Sequence, residues 1–559
     1  MPDRYLTALP RGSRTVSLSW RLLASDRADV GFNVHRRLPG AAWHVVSPAP
    51  VTYTTCFIDT APDAKPYEYR VTSIAAPDDP SESVRVDSGA DASIAILDVP
   101  LISPAQSTHE LAPGDLLNNG RTGYIATVRE DGQQFLDAYG GYGAADGRHL
   151  WRVPLGFPNN IYIDHTCGPY LVWDINHDGR SEVVCRLSRG NVWKNEIEQS
   201  KTACPDSYPW EKDVRMDPRP GDMLVALDGE TGDLVWEVPW PGPTFSAHMT
   251  LGYLNGRENP PALVIRDTQP YGPCNLYAMS GIDGHQLWHV HQQRPSGHNL
   301  DVADLDRDGV QEVICGGACY NGDGSVNWEA EPFGHTDISK PAHILPGRDD
   351  MQVWFAVEGE NQGVYLVDKD GKTVWKETYR HAHYGWLARH IPGVPGLHPH
   401  TSEDARYEFG AAETRQGNHF PIFHPDGSTW LNLTDWQRKN FVPVHWDGGP
   451  EVTFAIRIEN KRIVRLLASG EIEDVPGSKL PEGGKYGRNL CTLDIAGDYR
   501  ENITTTDLDT DRLIILANPN PASTRGTSPC DDWEYLHDCS QLGSGYYIYL
   551  SPPVTTTSG

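Results

Sequence analysis

No stretch of about 18 apolar residues occurs in this 559-residue chain, so no membrane-spanning helix is expected. The opening MPDRYLTALPRGSR has no apolar core of a secretory signal; the chain is either cytosolic or written without its leader. Positive charge is in deficit, with 47 Lys and Arg against 75 Asp and Glu and a formal net charge of −28. That sign excludes nucleic acid and anionic membranes as partners of the whole surface, and an acidic ligand would need a locally basic cleft. The ten cysteines form no C-x-x-C pair, and no Cys/His spacing suits structural zinc. Their even number predicts at least one disulfide, and Cys530 with Cys539 can close a short loop. There is no G-x-S-x-G elbow and no phosphate-cradling glycine loop, since GGYGAADG is not followed by a helix.

What is present suits a folded protein of two or more domains, with 38 % hydrophobic and 22 % charged residues. Residues 1–98 carry short alternating segments, TVSLSWRLL, VGFNVHRRL, CFIDT and YEYRVTSIAA, separated by turn residues. Trp20 and Tyr69 stand where a fibronectin-type β-sandwich keeps its core aromatics. From about residue 110 the chain repeats itself. A glycine-bearing turn leads to a tryptophan in DGRHLW, GETGDLVW, GIDGHQLW, GDGSVNW, DGKTVW and DGSTW, at intervals of roughly 40 to 85 residues. Each follows a β-like run such as LVALD or VYLVD. A second cassette, loop then strand, recurs as GDLLNNGRTGYIATV, WDINHDGRSEVVCRL and ADLDRDGVQEVICGG, and more weakly as HWDGGPEVTFAI and LDIAGDYRENITTT. Two cassettes per unit make about four strands. The reading is all-β: a sandwich over 1–98, then a β-propeller of seven or eight blades over 99–559, eight fitting better.

The loop cassette has two readings. Asp and Asn there can serve turn chemistry, accepting backbone N–H bonds. They can also present hard oxygens to Ca²⁺, from Asp174, Asn176, Asp178 and Glu182 in one loop and Asp304, Asp306, Asp308 and Glu312 in another. Calcium is the expected cofactor of both. Histidines recur at or just before the first strand of successive units: His165, His248, His298, His335, His381 and His383. Equivalent strand ends of a closed ring converge on one face, so these are candidate site residues, together with Tyr253, Arg266, Tyr271, Arg380, Tyr384, Lys485 and Arg488.

At these residues the chain resembles the rhamnogalacturonan lyases of the propeller type. The resemblance runs in order through the N-terminal segment, DAYGGYGAADGRHLWRVPLG, GHNLDVADLDRDGVQEVICGGACYNGDG, FGHTDIS and LDIAGDYREN. It implies an eight-bladed propeller, calcium ions and β-elimination on rhamnose–galacturonate chains, with Lys485 in GGKYGRN matching the family's functional lysine. The family's Gly-Arg-Gly segment is replaced by HAHYGWLAR, and the chain reads HDCSQLGSGYYIYL where the family has Asn-Gln-Pro-Pro-His. His165, Tyr253 and Arg266 also resemble, in order and spacing, the His, Tyr and Arg of propeller lyases that cut rhamnose–glucuronate bonds in ulvan or gum arabic.

Both resemblances imply one reaction. Arg266 or Ca²⁺ neutralises a uronate carboxylate, His165 or Lys485 takes the C5 proton, and Tyr253 donates to the O4 leaving group. His248, Tyr271, His298, His335, Arg380, His383, Tyr384 and Arg488 bind sugar. The expectation is a secreted, monomeric polysaccharide lyase acting on an acidic polysaccharide, rhamnogalacturonan first. The rivals are a non-catalytic carbohydrate-binding propeller and a calcium-stabilised adhesion protein.

Overall fold

The computed structural model describes residues 4–105, 108–130, 133–143, 147–156, 170–188, 222–242, 247–267, 272–331, 334–359, 362–379, 382–403, 420–433, 441–449, 453–456, 463–475, 491–522 and 524–541. The architecture is all-β. Two N-terminal sheets come first. One holds Thr7–Pro10, Thr15–Ser19 and Cys56–Thr60; the other orders His44–Val45, Phe32–Arg37, Pro66–Ser73 and Val84–Asp87. Alternation sends Val16, Leu18, Phe32, Val34, Tyr67, Tyr69 and Val71 into a shared core around Trp20, whose ring meets Phe32 edge-on at 5.5 Å.

Eight four-stranded antiparallel sheets follow among the described residues, seven of them built from four consecutive strands. The eighth takes three strands, Cys491–Leu493, Asn502–Asp507 and Arg512–Leu516, and is completed by Ala95–Pro100 from the beginning of the chain. That strand straddles residue 98, the boundary expected from sequence. First strands of successive sheets lie side by side: Thr108–Gly114 against Tyr170–Trp173, then Ala247–Gly252, Leu300–Ala303, His335–Ala342 and Ala382–Ala388; Cys491–Leu493 lies against Thr108–Gly114.

The repeated tryptophan is what fastens one sheet to the next. Trp151 Nε1 donates to the Gly229 carbonyl at 2.9 Å, Trp236 to Gly281 at 3.1 Å, Trp288 to Gly322 at 2.9 Å, Trp328 to Lys369 at 2.8 Å and Trp375 to Pro425 at 2.9 Å. Each acceptor lies at the turn of the following sheet, whose glycine sits under the indole. At Gly371 a Cβ would come within 2.8 Å of Trp328, and φ is +79°, so shape and backbone both demand glycine. Inner strands such as Ala262–Asp267 are buried along their whole length; outermost ones such as Gln286–Gln292 are largely exposed.

The cysteine expectation fails among the described residues. Cys56, Cys185, Cys274, Cys315, Cys319, Cys491, Cys530 and Cys539 are all free thiols, and Cys530 does not bridge Cys539. Cys539 is buried in the core beside the helix Trp533–Ser540 and the partly buried Cys530 packs against it, and burial pushes the pKa of both thiols upward. Cys167 and Cys204 lie outside the described residues. The helix is not foreseen by the sequence pattern, although Asp532 caps it by accepting from the Glu534 and Tyr535 amides.

Candidate active site

Each first strand has two functional ends. Where both features occur, as around Leu300–Ala303, a histidine stands at the start and an acidic loop follows the finish, so a strand separates the two. In the third sheet, His248 on Ala247–Gly252 sits directly opposite Arg266 on Ala262–Asp267. In the fourth, His298 precedes Leu300–Ala303; in the fifth, His335 opens His335–Ala342. The His248 and His298 rings lie 6.4 Å apart, and those of His298 and His335 4.5 Å apart, edge to face. Four predicted residues, His248, Arg266, His298 and His335, thus meet at one end of three adjacent sheets.

Arg266 is completely buried. Its Nη1 donates to Ser296 Oγ at 2.8 Å and to the Gly297 carbonyl. Its Nε and Nη2 find no hydrogen-bond partner, and it makes no ion pair among the described residues. Burial pushes its pKa down. His248 is held well below the ordinary imidazole value by burial, with Arg266 and His298 acting in the same direction, so it is neutral at working pH. An interior guanidinium with unanswered N–H groups is a place for an anion to arrive.

Two acidic residues that sequence reading missed complete the cluster. Asp337 Oδ1 lies 3.1 Å from His335 Nε2 and 3.9 Å from His298 Nε2; Glu358, paired in register with His335, lies 4.0 Å from the same imidazole. Asp337 falls at a β-bulge between Thr336 and Ile338, which re-aims its side chain. Its signal was the i, i+2 spacing in HTD. Donor atoms of His298, His335 and Asp337 lie within 4.8 Å of one another, a set able to hold a divalent cation.

Tyr253 does not join them. It follows the far end of Ala247–Gly252, five residues beyond His248, which at strand rise is roughly 17 Å away. There its hydroxyl accepts from Trp173 Nε1 at 2.9 Å and its ring meets Trp533 at 5.2 Å. The spacing that aligned His165, Tyr253 and Arg266 in sequence ignored the direction of the strand between them. His165, Tyr271, Arg380, Lys485 and Arg488 lie outside the described residues, as do the side chains of His383 and Tyr384, whose backbone belongs to Ala382–Ala388.

The acidic loops lie at that far end. In one, Asp174 accepts from the Asp178 and Gly179 amides, Asn176 from Asp178, and Glu182 from Ile175. In the other, Asp304 accepts from Asp308 and Gly309, and Glu312 from Leu305. Carboxylate oxygens of Asp304, Asp306 and Asp308 lie within 4.8 Å of one another, a hard-oxygen set that fits calcium. The loop 494–502 repeats the backbone pattern, but Arg500 Nη2 pairs with Asp498 at 2.5 Å, placing a guanidinium among its carboxylates. The crevice lined by Asp304, Gln311, Trp533, Glu534 and Asp538 also belongs to this end, remote from Arg266.

Comparison with known families bears on what this arrangement serves. Residues 282–556 match the C-terminal domain of rhamnogalacturonan lyase family 11, and residues 2–87 match the beta-sheet domain of rhamnogalacturonan I lyases. The chain belongs to rhamnogalacturonan lyase family 11. Among family relatives, the rhamnogalacturonan endolyase YesW of Bacillus subtilis is 26 % identical over 66 % of this chain, a match spanning 65 % of YesW, just under two thirds of its length. The rhamnogalacturonan exolyase YesX of the same organism is 23 % identical over 97 % of this chain and 92 % of its own. The crystal structure of YesW superposes with a TM-score of 0.76 at 20 % identity, covering 99 % of this chain and 96 % of that one. A Bacillus licheniformis rhamnogalacturonan lyase superposes at 0.74 and 20 % identity, covering 98 % and 95 %. At those identities the structures establish the shared fold.

Proposed function

We propose that this family 11 chain cleaves rhamnogalacturonan by β-elimination at the galacturonate, working outside the cell. The eight sheets serve as blades of a propeller closed by Ala95–Pro100. The fibronectin-like module then ends before Ala95. The observation that carries the catalytic reading is Arg266, a buried cation with two unanswered donor groups beside three histidines.

A galacturonate C5–H is only weakly acidic beside an ionised carboxylate, because its removal places a second negative charge on the sugar. Arg266 Nε and Nη2 answer this by holding the carboxylate and stabilising the charge that develops. The lost proton passes to a base, the C5–H electrons form the C4=C5 bond, and the C4–O4 bond breaks with its electron pair on O4, which leaves with the rhamnose and takes up a proton from water or from the protonated base. Lys485 and His165 are the base candidates. Neutral His248 accepts a sugar hydroxyl. His298, His335 and Asp337 would hold a divalent cation, which when bound supplies further positive charge for the carboxylate. Calcium at the 174 and 304 loops then has a structural role, since those loops are a strand's length from Arg266. Tyr253 is withdrawn as proton donor, and with it the three-residue set on which the ulvan-type reading stood.

The test is to incubate the enzyme with rhamnogalacturonan, ulvan and gum arabic, with calcium present, and follow the ultraviolet absorbance of the unsaturated uronate. Absorbance should rise with rhamnogalacturonan. No rise with any polymer contradicts the reading.

A further inference from the structure

The outward face of the four-stranded N-terminal sheet carries an unexpected cluster of cations. Register pairs His35 with Arg70, Arg37 with Glu68 and Glu68 with Arg85, so these side chains share one face while Val34, Tyr67, Tyr69, Val71 and Val86 fill the core behind them. Trp43, from the turn before His44–Val45, lies across this face. The Arg37 guanidinium sits 4.2 Å from its ring centroid and that of Arg70 4.6 Å. Arg37 is answered by Glu68 at 2.6 Å. Arg70 and Arg85 make no ion pair among the described residues, and Arg70 Nε is buried without a partner. The other nearby carboxylate, Asp87, accepts from the Gly89 amide at 2.9 Å in its own turn. In a chain of net charge −28, this excess of arginine runs against the whole surface.

Among the described residues, packing on the rest of the chain does not use this face. The module docks through Ser17 to the Pro519 carbonyl, Arg11 to Asn520, Arg500 to Cys56 and Arg525 to the Val30 carbonyl. None of those contacts involves Trp43, Arg70 or Arg85.

We propose that the Trp43–Arg70–Arg85 face is a second binding surface for the uronate-bearing polysaccharide, separate from the site of cleavage. The substrate class rests on the proposed function. An indole takes the C–H face of a pyranose ring, and an unpaired guanidinium takes a carboxylate with two parallel bonds. A long polymer held here and at Arg266 stays on the enzyme by effective concentration, whereas a short oligosaccharide reaches only one of them.

The experiment uses the full chain with Arg266→Ala to slow turnover, run through native gels containing rhamnogalacturonan or its carboxyl-reduced form. Against that background, Trp43→Ala and Arg70→Ala with Arg85→Glu should each weaken retardation by about tenfold. Carboxyl reduction of the polymer should weaken it comparably. With Arg266 intact, the same variants should leave turnover of a short oligosaccharide unchanged and slow that of dilute polymer. Arg85 is exposed, so Arg85→Glu alone tests the charge without disturbing packing. Undiminished retardation in every variant, or equal retardation by the carboxyl-reduced polymer, overturns the proposal. If the wild type yields no unsaturated product and Trp43→Ala still weakens retardation, the binding surface stands and the lyase reading falls. If product forms and retardation is unaltered in the variants, the lyase reading stands and the binding surface falls.

Discussion

Arg266 occupies a position where a cation is expensive unless an anion joins it, since burial removes its hydration and the protein supplies only neutral oxygen acceptors on one side. Replacing it with Ala should lower kcat/KM by about 10²–10³-fold, measured as the initial rate of unsaturated product. Arg266→Lys should recover little, because an ammonium cannot reproduce the planar fork. Gly297 is tied to the same function. A Cβ there would lie 1.9 Å from the Thr336 carbonyl oxygen, and φ is +66°, so the chain must shift the very carbonyl that receives Arg266. Gly297→Ala should cost about 1–3 kcal/mol in denaturant unfolding and reduce kcat as well. At this scale the sequence was readable where a residue type recurred at equivalent strand ends, as with His248, His298 and His335. It was unreadable for Asp337 and Glu358, whose roles depend on a bulge and on register across strands, and misleading for Tyr253, where order along the chain concealed an opposite strand end.

The repeated elements are explained by the contacts they make with the next unit. A turn glycine accommodates the preceding sheet's tryptophan, so Gly371→Ala should destabilise the protein by about 1–3 kcal/mol, seen as a lower denaturation midpoint, with the site chemistry unaffected. The acidic loops carry a pH signature. Burial pushes Glu182 and Glu312 up to about 7, from 4.5, with the neighbouring aspartates acting in the same direction. In chelated protein the folded state keeps those protons while the unfolded state has released them. That stability is present below pH 4.5 and is lost as pH rises through about 7. Melting temperature in chelator should therefore fall between pH 6 and pH 8, and added calcium should restore most at pH 8, where it meets ionised carboxylates. Loop 494–502 should take up no calcium, because Arg500 already neutralises it. The sequence displayed both cassettes plainly. It did not display that the indole crosses to a neighbouring sheet, because hairpin patterns describe pairing within a unit only.

For the molecule as a whole, the joining of Ala95–Pro100 to Arg512–Leu516 ties the two ends of the large domain together. Periodicity gave an expectation of seven or eight units, and eight four-stranded sheets stand among the described residues; the pairing of Ala95–Pro100 was hidden because its partner lies more than four hundred residues away. In the proposed propeller the histidine cluster and the acidic loops lie at opposite ends of the first strands, and substrate enters at the histidine end. A structure of the Arg266-intact protein, inactivated at its base and soaked with a rhamnogalacturonan oligosaccharide, measures this directly. A galacturonate carboxylate should lie within hydrogen-bonding distance of Arg266 Nε and Nη2, with the sugar against His248. An oligosaccharide seated instead between Trp533 and the Asp304 loop, with Arg266 untouched, would contradict it.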